Sequence, residues 1–146
     1  MIKYMNLIGI KARKASEYKV TTEVKNKVLN DYAKLIKNEK KFIINQNSKD
    51  INYARKKGLK ENLIKRLHLN ENKLDGIINS ILKIAKLSDP IDSTLEKWKR
   101  PNGLNIKRVS IPIGVIGVIY ESRPNVTSDV ASLCFKSGNV VILKGG

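Results

Sequence analysis

The spacing of apolar residues divides the chain into two parts that meet near residues 88–90. Before Pro90, apolar residues recur every three or four positions, which is the period of an amphipathic helix. After Pro90, short apolar runs are separated by glycine and proline, which is typical of strands joined by turns. The pattern therefore predicts a helical N-terminal segment followed by an α/β segment.

The first part begins with two predicted helices. The first covers residues 5–16, and the second begins after Thr21 or Thr22, either of which can cap it. Glu23 then lies in the first turn, where the helix dipole favours an acidic side chain. The inward stripe of the second helix is predicted to consist of Val24, Val28, Tyr32, Leu35 and Ile36.

Two more helices are predicted before Pro90. The third covers residues 39–57 and ends at Gly58, a residue type suited to a C-cap. Its inward residues are predicted to be Phe42, Ile43, Ile51 and Ala54. A turn is expected around Leu63, Ile64 and Leu67. Asn70 caps the fourth helix, which Pro90 stops, and its regular apolar stripe consists of Leu74, Ile77, Ile78, Ile81 and Ala85.

The second part begins with a predicted β-hairpin. Its strands cover residues 95–100 and 104–111, and residues 101–103, Pro-Asn-Gly, form the turn between them. Apolar and polar residues alternate along the second strand, so one face of the hairpin should be exposed to water.

A strand, a helix and a second strand are predicted next. Residues 113–120 and 139–144 are apolar on both faces, as in buried parallel strands. Residues 125–137 form the helix between them, with Asn125 as its cap and Gly138 as a left-handed residue at its end. This βαβ unit should be right-handed. The inward residues of its helix are predicted to be Val126, Val130, Leu133, Cys134 and Ser137.

Gly145 and Gly146 follow the second parallel strand directly, as at the start of a loop that approaches a phosphate. Two parallel strands and one helix cannot cover both faces of a parallel sheet. We therefore expect an incomplete domain of a larger α/β protein. The alternative is a small α+β domain with exposed sheet edges.

Composition and charge narrow the class of protein. A chain of 146 residues, 41% of them apolar, can form one globular domain. The formal net charge of +16 suggests nucleic-acid or anionic-membrane binding, but lysine is spread along the whole chain and aromatic residues make up only 5%. We therefore expect no nucleic-acid partner, and no membrane span because no apolar run approaches about 20 residues. The N-terminal residues show no signal-peptide pattern, and the single cysteine, Cys134, cannot form an internal disulfide. The expected location is therefore the cytoplasm.

The polar loop after the first parallel strand is the most informative stretch for chemistry. Glu121, Ser122, Arg123 and Asn125 lie where open α/β sheets bind ligands. Arg123 can form paired hydrogen bonds with a carboxylate or phosphate, and Asn125 can donate to a developing oxyanion. From the residues alone, it is equally open that Asn125 is only a helix cap and Arg123 only a solvated charge. His68 has no ligand-spaced partners, so no metal site is expected.

Several motifs carry a family resemblance. Residues 112–127 read PIGVIGVIYESRPNVT, residues 133–139 read LCFKSGN and residues 141–146 read VILKGG. Together with WKRPNGL at residues 98–104, these motifs resemble the gamma-glutamyl phosphate reductase family of the aldehyde dehydrogenase superfamily. The resemblance covers essentially the whole chain and corresponds to the N-terminal portion of that family.

The resemblance implies a reaction. Gamma-glutamyl phosphate is reduced with NADPH to glutamate 5-semialdehyde and phosphate, as a step of proline biosynthesis. A cysteine thiolate attacks the acyl phosphate, and the resulting thioester accepts hydride. The family's nucleophile corresponds to sequence downstream of residue 146, so residues 1–146 alone are expected to be inactive. Cys134, on the apolar face of a helix, is not expected to be that nucleophile.

The resemblance also implies roles for residues of this chain. In proteins of this superfamily, the lysine that ends this strand contacts the adenosine ribose and the additional phosphate of NADP. Lys144 occupies that position here, and Gly145 and Gly146 follow it in the implied cofactor site. The loop that approaches the substrate contains Glu121, Ser122 and Arg123. The family's oxyanion asparagine aligns imperfectly, and Asn125 is the nearest amide.

Three segments are predicted in all: helices at residues 1–90, a hairpin acting as an oligomerisation element at residues 91–112, and the start of an NADP-binding domain at residues 113–146. The implied partners are the small-molecule substrate, further copies of the chain, and glutamate 5-kinase. A basic helical nucleic-acid-binding module and a non-catalytic truncated subunit are the alternatives to a reductase.

Overall fold

The computed structural model describes residues 2–145, which contain six helices and four strands. The helical half consists of α1 (Ile2–Ser16), α2 (Thr22–Asn38), α3 (Lys40–Lys56), α4 (Glu61–Leu67) and α5 (Glu71–Lys86). The remaining elements are β1 (Thr94–Lys99), β2 (Asn105–Val109), β3 (Val115–Ile119), α6 (Pro124–Lys136) and β4 (Val140–Lys144). This order confirms an α/β class with N-terminal helices, a hairpin and one βαβ unit. None of the described helices combines the length and apolar character needed to span a bilayer.

The main core lies between α2, α5 and α6, and the predicted stripe of α5 forms its centre. All five stripe residues are buried: Leu74, Ile77, Ile78, Ile81 and Ala85. The Asn70 side chain accepts a hydrogen bond from the Lys73 N–H at 2.8 Å, which confirms the predicted cap. The helix ends at Lys86, four residues earlier than the proline expected to stop it.

The predicted inward face of α2 is only partly correct, although Thr21 caps the helix as expected. Ile36 is buried and Tyr32 packs against the main core as predicted, whereas three of the predicted residues are exposed: Val24, Val28 and Leu35. The other buried residues of α2 are Lys25, Leu29 and Ala33. Lys25 can occupy a core position because its ammonium forms an ion pair with Asp89 at 2.7 Å.

A second, smaller core lies between α3 and α4, where a turn had been predicted instead of α4. Ile51 and Ala54 of α3 pack against Ile64, and Leu67 packs at the edge of this cluster. A helix allows Ile64 and Leu67, three residues apart, to face α3 together. Phe42 is exposed, contrary to the prediction that it faces inward.

The inward face of α6 also differs from the prediction. Cys134 is buried as expected, but Leu133 is exposed. The other buried residues of α6 are Ser128, Ser132 and Lys136. Lys136 is buried because its ammonium donates hydrogen bonds to the Ala85 carbonyl at 3.0 Å and to the Asn26 side-chain oxygen, which joins α6 to α5 and α2.

The parallel strands β3 and β4 are only partly covered. Their register runs from Val115 opposite Val140 to Ile119 opposite Lys144. Helices α1 and α6 both pack against the pair, yet none of its residues is fully buried and Ile119 is 86% exposed. The prediction of two buried strands is therefore wrong for residues 2–145, because these residues supply only part of the cover.

The hairpin β1–β2 has the predicted turn, with Gly103 at φ 86°, and pairs Trp98 with Ile106. An extra residue, Leu95, forms a bulge between Thr94 and Glu96. Both faces are exposed, whereas one wet face had been predicted. The reason is that neither strand packs closely against another element of residues 2–145.

Two predicted left-handed glycines differ in their surroundings. Gly58 (φ 72°) ends α3, and a Cβ added there would meet open space. Gly138 (φ 68°) follows α6, and a Cβ there would lie 3.2 Å from Pro112 Cγ and 3.3 Å from Ile91 Cγ1. Both positions favour glycine by conformation, but only Gly138 also needs the space.

We expect Gly58→Ala to lower the free energy of unfolding by about 1–2 kcal/mol, the usual cost of a left-handed L-residue. Gly138→Ala should lower it by at least about 1 kcal/mol more, because the added methyl group is overpacked. Urea denaturation followed by far-ultraviolet circular dichroism measures both losses. Equal losses would contradict the close packing around Gly138.

Candidate functional site

The carboxyl ends of β3 and β4 lie side by side. The Tyr120 N–H donates to the Lys144 carbonyl at 3.0 Å, one residue beyond the end of β3. Gly145 lies against the Tyr120 ring, since a Cβ on Gly145 would be 3.7 Å from the hydroxyl oxygen. The predicted cofactor residues Lys144 and Gly145 therefore share one sheet edge with the start of the predicted substrate loop. Gly146, also assigned to the cofactor, lies outside the described residues.

The loop between β3 and α6 consists of residues 120–123, in which Glu121, Ser122 and Arg123 follow Tyr120. Ser122 has φ 48°, an uncommon left-handed conformation for a residue other than glycine. Arg123 is the N-cap residue of α6, and its carbonyl accepts the Val126 N–H at 3.0 Å. The exposed guanidinium of Arg123 makes no ion pair with any residue of 2–145, so it is available to an anion.

Asn125 is not the cap of α6, contrary to the prediction, because Pro124 begins the helix and Asn125 is its second residue. The Asn125 amide nitrogen donates to Asp129 Oδ2, one turn further along, at 3.1 Å. Its second amide hydrogen is left for a ligand. The neighbouring Asp129 carboxylate opposes negative charge at this point, which weighs against an oxyanion there.

The loop is attached to α6 through a contact that was not predicted. The Tyr120 hydroxyl and the Thr127 hydroxyl are 2.6 Å apart, which joins the end of β3 to the first turns of α6. Both residues belong to the motif at residues 112–127, but nothing in their types or spacing indicates this bond.

A cavity of about 320 Å³ lies beside the start of α6, between this helix and the α4–α5 region. Its lining residues are Arg66, Leu69, Lys73, Gly76, Ile77, Ser80, Pro124, Asn125 and Asp129. The Lys73 ammonium donates to the His68 carbonyl at 2.6 Å at the end of α4. Among these residues, sequence reasoning gave a site role only to Asn125 and placed Ile77 in the core stripe of α5, although the four-residue spacing of Asn125 and Asp129 would have placed both on one helical face.

The single cysteine, Cys134, lies in α6 and is buried. Burial raises the pKa of the Cys134 thiol above its ordinary value. A raised pKa keeps the thiol protonated near neutral pH, which is unfavourable for a nucleophile. Among residues 2–145, no group of histidine, cysteine and acidic side chains is arranged to hold a metal ion.

Curated relatives resemble the chain over most of its length. The gamma-glutamyl phosphate reductase of Nautilia profundicola is 49% identical over 124 residues, which cover 85% of this chain and 30% of the relative. The gamma-glutamyl phosphate reductase of Clostridium tetani is 44% identical over 146 residues, which cover 99% of this chain and 34% of the relative. No protein-family model matches the chain.

Solved structures show the same similarity. The gamma-glutamyl phosphate reductase of Thermotoga maritima has a TM-score of 0.88 and 41% identity, over 93% of this chain and 33% of that one. The corresponding reductase of Saccharomyces cerevisiae has a TM-score of 0.92 and 34% identity, over 96% of this chain and 36% of that one.

These matches agree in sequence and in backbone, and they favour a reductase over a basic nucleic-acid-binding module. The chain spans about a third of the length of the curated relatives it matches. The similarity, however, covers nearly all of this chain, including the loop and strand ends described above. The chain therefore belongs to the gamma-glutamyl phosphate reductase family.

Proposed function

We propose that the chain provides the N-terminal part of an enzyme that reduces gamma-glutamyl phosphate to glutamate 5-semialdehyde and phosphate in proline biosynthesis. The observation that supports this most is the shared sheet edge, where the loop after β3 and Lys144 at the end of β4 lie together. Open α/β sheets bind ligands at such edges. The nucleophile is proposed to be a cysteine in a part of the family's sequence that this chain does not span, because Cys134 is buried.

NADPH is the proposed cofactor and supplies hydride when bound. The residues present suit the phosphate-bearing end of such a molecule. Lys144 is exposed at the end of β4 and carries a positive charge, while Gly145 presents backbone without a side chain. Lysine attracts a phosphate as a point charge, and the missing side chain permits close approach to the backbone.

The loop residues Glu121, Ser122 and Arg123 are proposed to bind the substrate. Arg123 can form two parallel hydrogen bonds with the acyl phosphate, which positions it and balances its charge. Asn125 is proposed to orient the acyl group with its second amide hydrogen. The oxyanion itself then requires a further donor, because Asp129 lies beside Asn125.

We also propose that the enzyme works in the cytoplasm as a homo-oligomer that associates with glutamate 5-kinase. The hairpin at residues 91–112 is the proposed oligomerisation element. Its support is exposure on both faces, with Trp98, Leu95 and Leu104 among its exposed apolar residues. Unpaired strand edges and exposed apolar side chains are features that a second subunit can cover.

A chimaera tests the proposed activity. The matching segment of the Thermotoga maritima reductase is replaced by this chain, and NADPH formation from glutamate 5-semialdehyde, phosphate and NADP is followed by absorbance. We expect the chimaera to be active. Lys144→Ala in the chimaera should raise KM for NADP about tenfold, because a charge-assisted hydrogen bond to phosphate is lost, while KM for the semialdehyde stays the same.

Lys37→Ala is the matched control, since Lys37 is an exposed lysine in the last turn of α2 with no proposed role. It should change neither KM value. A folded chimaera without activity would contradict the proposed function. Equal effects of Lys144→Ala and Lys37→Ala would contradict the role of Lys144 alone.

A further inference from the structure

The cavity beside α6 contains a carboxylate oxygen without a partner. Asp129 Oδ2 accepts a hydrogen bond from Asn125, but Asp129 Oδ1 is buried and has no hydrogen-bond partner among residues 2–145. A buried carboxylate oxygen left unpaired is unfavourable, so such groups normally meet a donor. Because Asp129 lines the cavity, its carboxylate places a negative charge at the cavity wall with one oxygen short of a donor.

Two cations line the same cavity. Arg66 is exposed at the end of α4, and Lys73 lies in the first turns of α5. Neither forms an ion pair with Asp129, so negative and positive charges line the same cavity without neutralising each other. The Lys73 ammonium is positioned by the His68 and Lys65 carbonyls, at 2.6 and 3.3 Å. A ligand for this cavity should therefore carry both an ammonium and a carboxylate.

The remaining walls suit a short aliphatic chain. Leu69 and Ile77 are apolar, and Gly76 adds no side chain between them. The volume of about 320 Å³ is at the lower end of the roughly 300–1,000 Å³ that small-molecule sites occupy. Pro124 and Asn125 form the wall nearest the loop that precedes α6.

We infer that this cavity binds the amino-acid end of the substrate. The α-ammonium pairs with the Asp129 carboxylate, and the α-carboxylate is held by Arg66 and Lys73. The side chain then extends past Asn125 toward Arg123 and the sheet edge. This assignment rests on the proposed function and deepens it, since it makes Asp129 the residue that distinguishes an amino acid from a dicarboxylate lacking the amino group.

The test is a titration of the isotope-labelled 146-residue chain followed by nuclear magnetic resonance. L-glutamate is the probe, and glutarate, which lacks only the amino group, is its matched comparison. L-glutamate should shift the signals of Asp129, Asn125 and Gly76. Glutarate should bind at least about tenfold more weakly, as expected from the loss of a charge-assisted hydrogen bond.

Asp129→Asn should remove the difference between the two ligands, whereas Asp50→Asn, at an exposed aspartate of α3, should leave it intact. Arg66→Gln should weaken both ligands alike. If Asp129→Asn does not fold, the comparison of L-glutamate with glutarate on the unsubstituted chain still tests the assignment. Equal binding of L-glutamate and glutarate, or no shift at the cavity with L-glutamate, would overturn the assignment.

The outcomes also separate this assignment from the proposed reductase. If L-glutamate binds at Asp129 but the chimaera is inactive, the amino-acid site is supported and the proposed reductase activity is contradicted. If the chimaera is active but Asp129→Asn leaves its KM for the semialdehyde unchanged, the proposed reductase activity is supported and the amino-acid site is contradicted.

Discussion

Lys25→Met is expected to lower the free energy of unfolding by about 3–5 kcal/mol, as is typical when one partner of a buried ion pair is removed. The Lys25 side chain is 4% exposed and its ammonium lies 2.7 Å from the Asp89 carboxylate, which is 13% exposed. Methionine retains the aliphatic volume of lysine, but among residues 2–145 it leaves only Thr22 and the Ile91 N–H as donors to the Asp89 carboxylate. Urea denaturation followed by circular dichroism measures the loss.

An exposed ion pair on the same helix is the control. Lys27 pairs with Asp31 at 2.6 Å, but both side chains are well exposed to solvent. Lys27→Met should therefore cost no more than about 1 kcal/mol. The double variant Lys25→Met with Asp89→Asn should recover part of the loss, because no buried charge is then left unpaired. Similar losses for Lys25→Met and Lys27→Met would contradict this explanation.

The effect of Lys25→Met should depend on pH in a defined direction. Burial alone would raise the pKa of Asp89, but hydrogen bonds from Lys25, the Ile91 N–H and Thr22 hold the pKa below its ordinary value of 3.8. Since the folded-state pKa is lowered, the stabilisation by Asp89 is complete above the unfolded pKa. It is lost as the pH falls through the folded pKa, so the difference between Lys25→Met and the unsubstituted chain should shrink below pH 3.8.

Ile81→Ala is expected to lower the free energy of unfolding by about 2–5 kcal/mol, the usual range for removing a large aliphatic side chain from a core. Ile81 is 0% exposed and lies in the main core cluster with Leu29 and Ala33 of α2 and other α5 residues. Alanine removes the packed methyl groups and leaves a cavity that these helices can fill only in part. The same urea denaturation measures the loss.

Ile119→Ala is the matched control for this substitution, because Ile119 is the same residue type at 86% exposure on β3. Its stability change should stay within about 0.5 kcal/mol, as for other exposed positions. A loss comparable to that of Ile81→Ala would show that another surface covers β3 in solution, and would contradict the exposure described for residues 2–145.

The helices show what the sequence can and cannot specify. The stripe of α5 was predicted correctly because its aliphatic residues at three- and four-residue spacing allow a single inward face. The inward face of α2 was predicted only in part, because Lys25 is buried with the help of an ion-pair partner, Asp89, that lies 64 residues further along the chain. Hydrophobic spacing carries no information about such a pairing.

For the candidate site too, one part could be predicted from the sequence and another could not. The sequence places the polar loop and Lys144 at one sheet edge, because the carboxyl ends of parallel strands meet there. The sequence does not predict that Asp129 and Arg66 line the same cavity, because this depends on how α4 and α5 pack against α6, which joins residues distant in sequence. Nor does it reveal that Asn125 lies inside the helix, since an asparagine next to a proline suits either position.

The burial of Lys136 links ligand binding to the stability of the helices. Lys136 joins the last turn of α6 to α5 and α2, while the first turn of the same helix lines the cavity. Helix α6 should therefore exchange its amide hydrogens in one cooperative unit with α2 and α5, and not with the hairpin. A ligand that binds only the folded cavity then raises the melting temperature of that whole unit, and the increase grows with the logarithm of the ligand concentration.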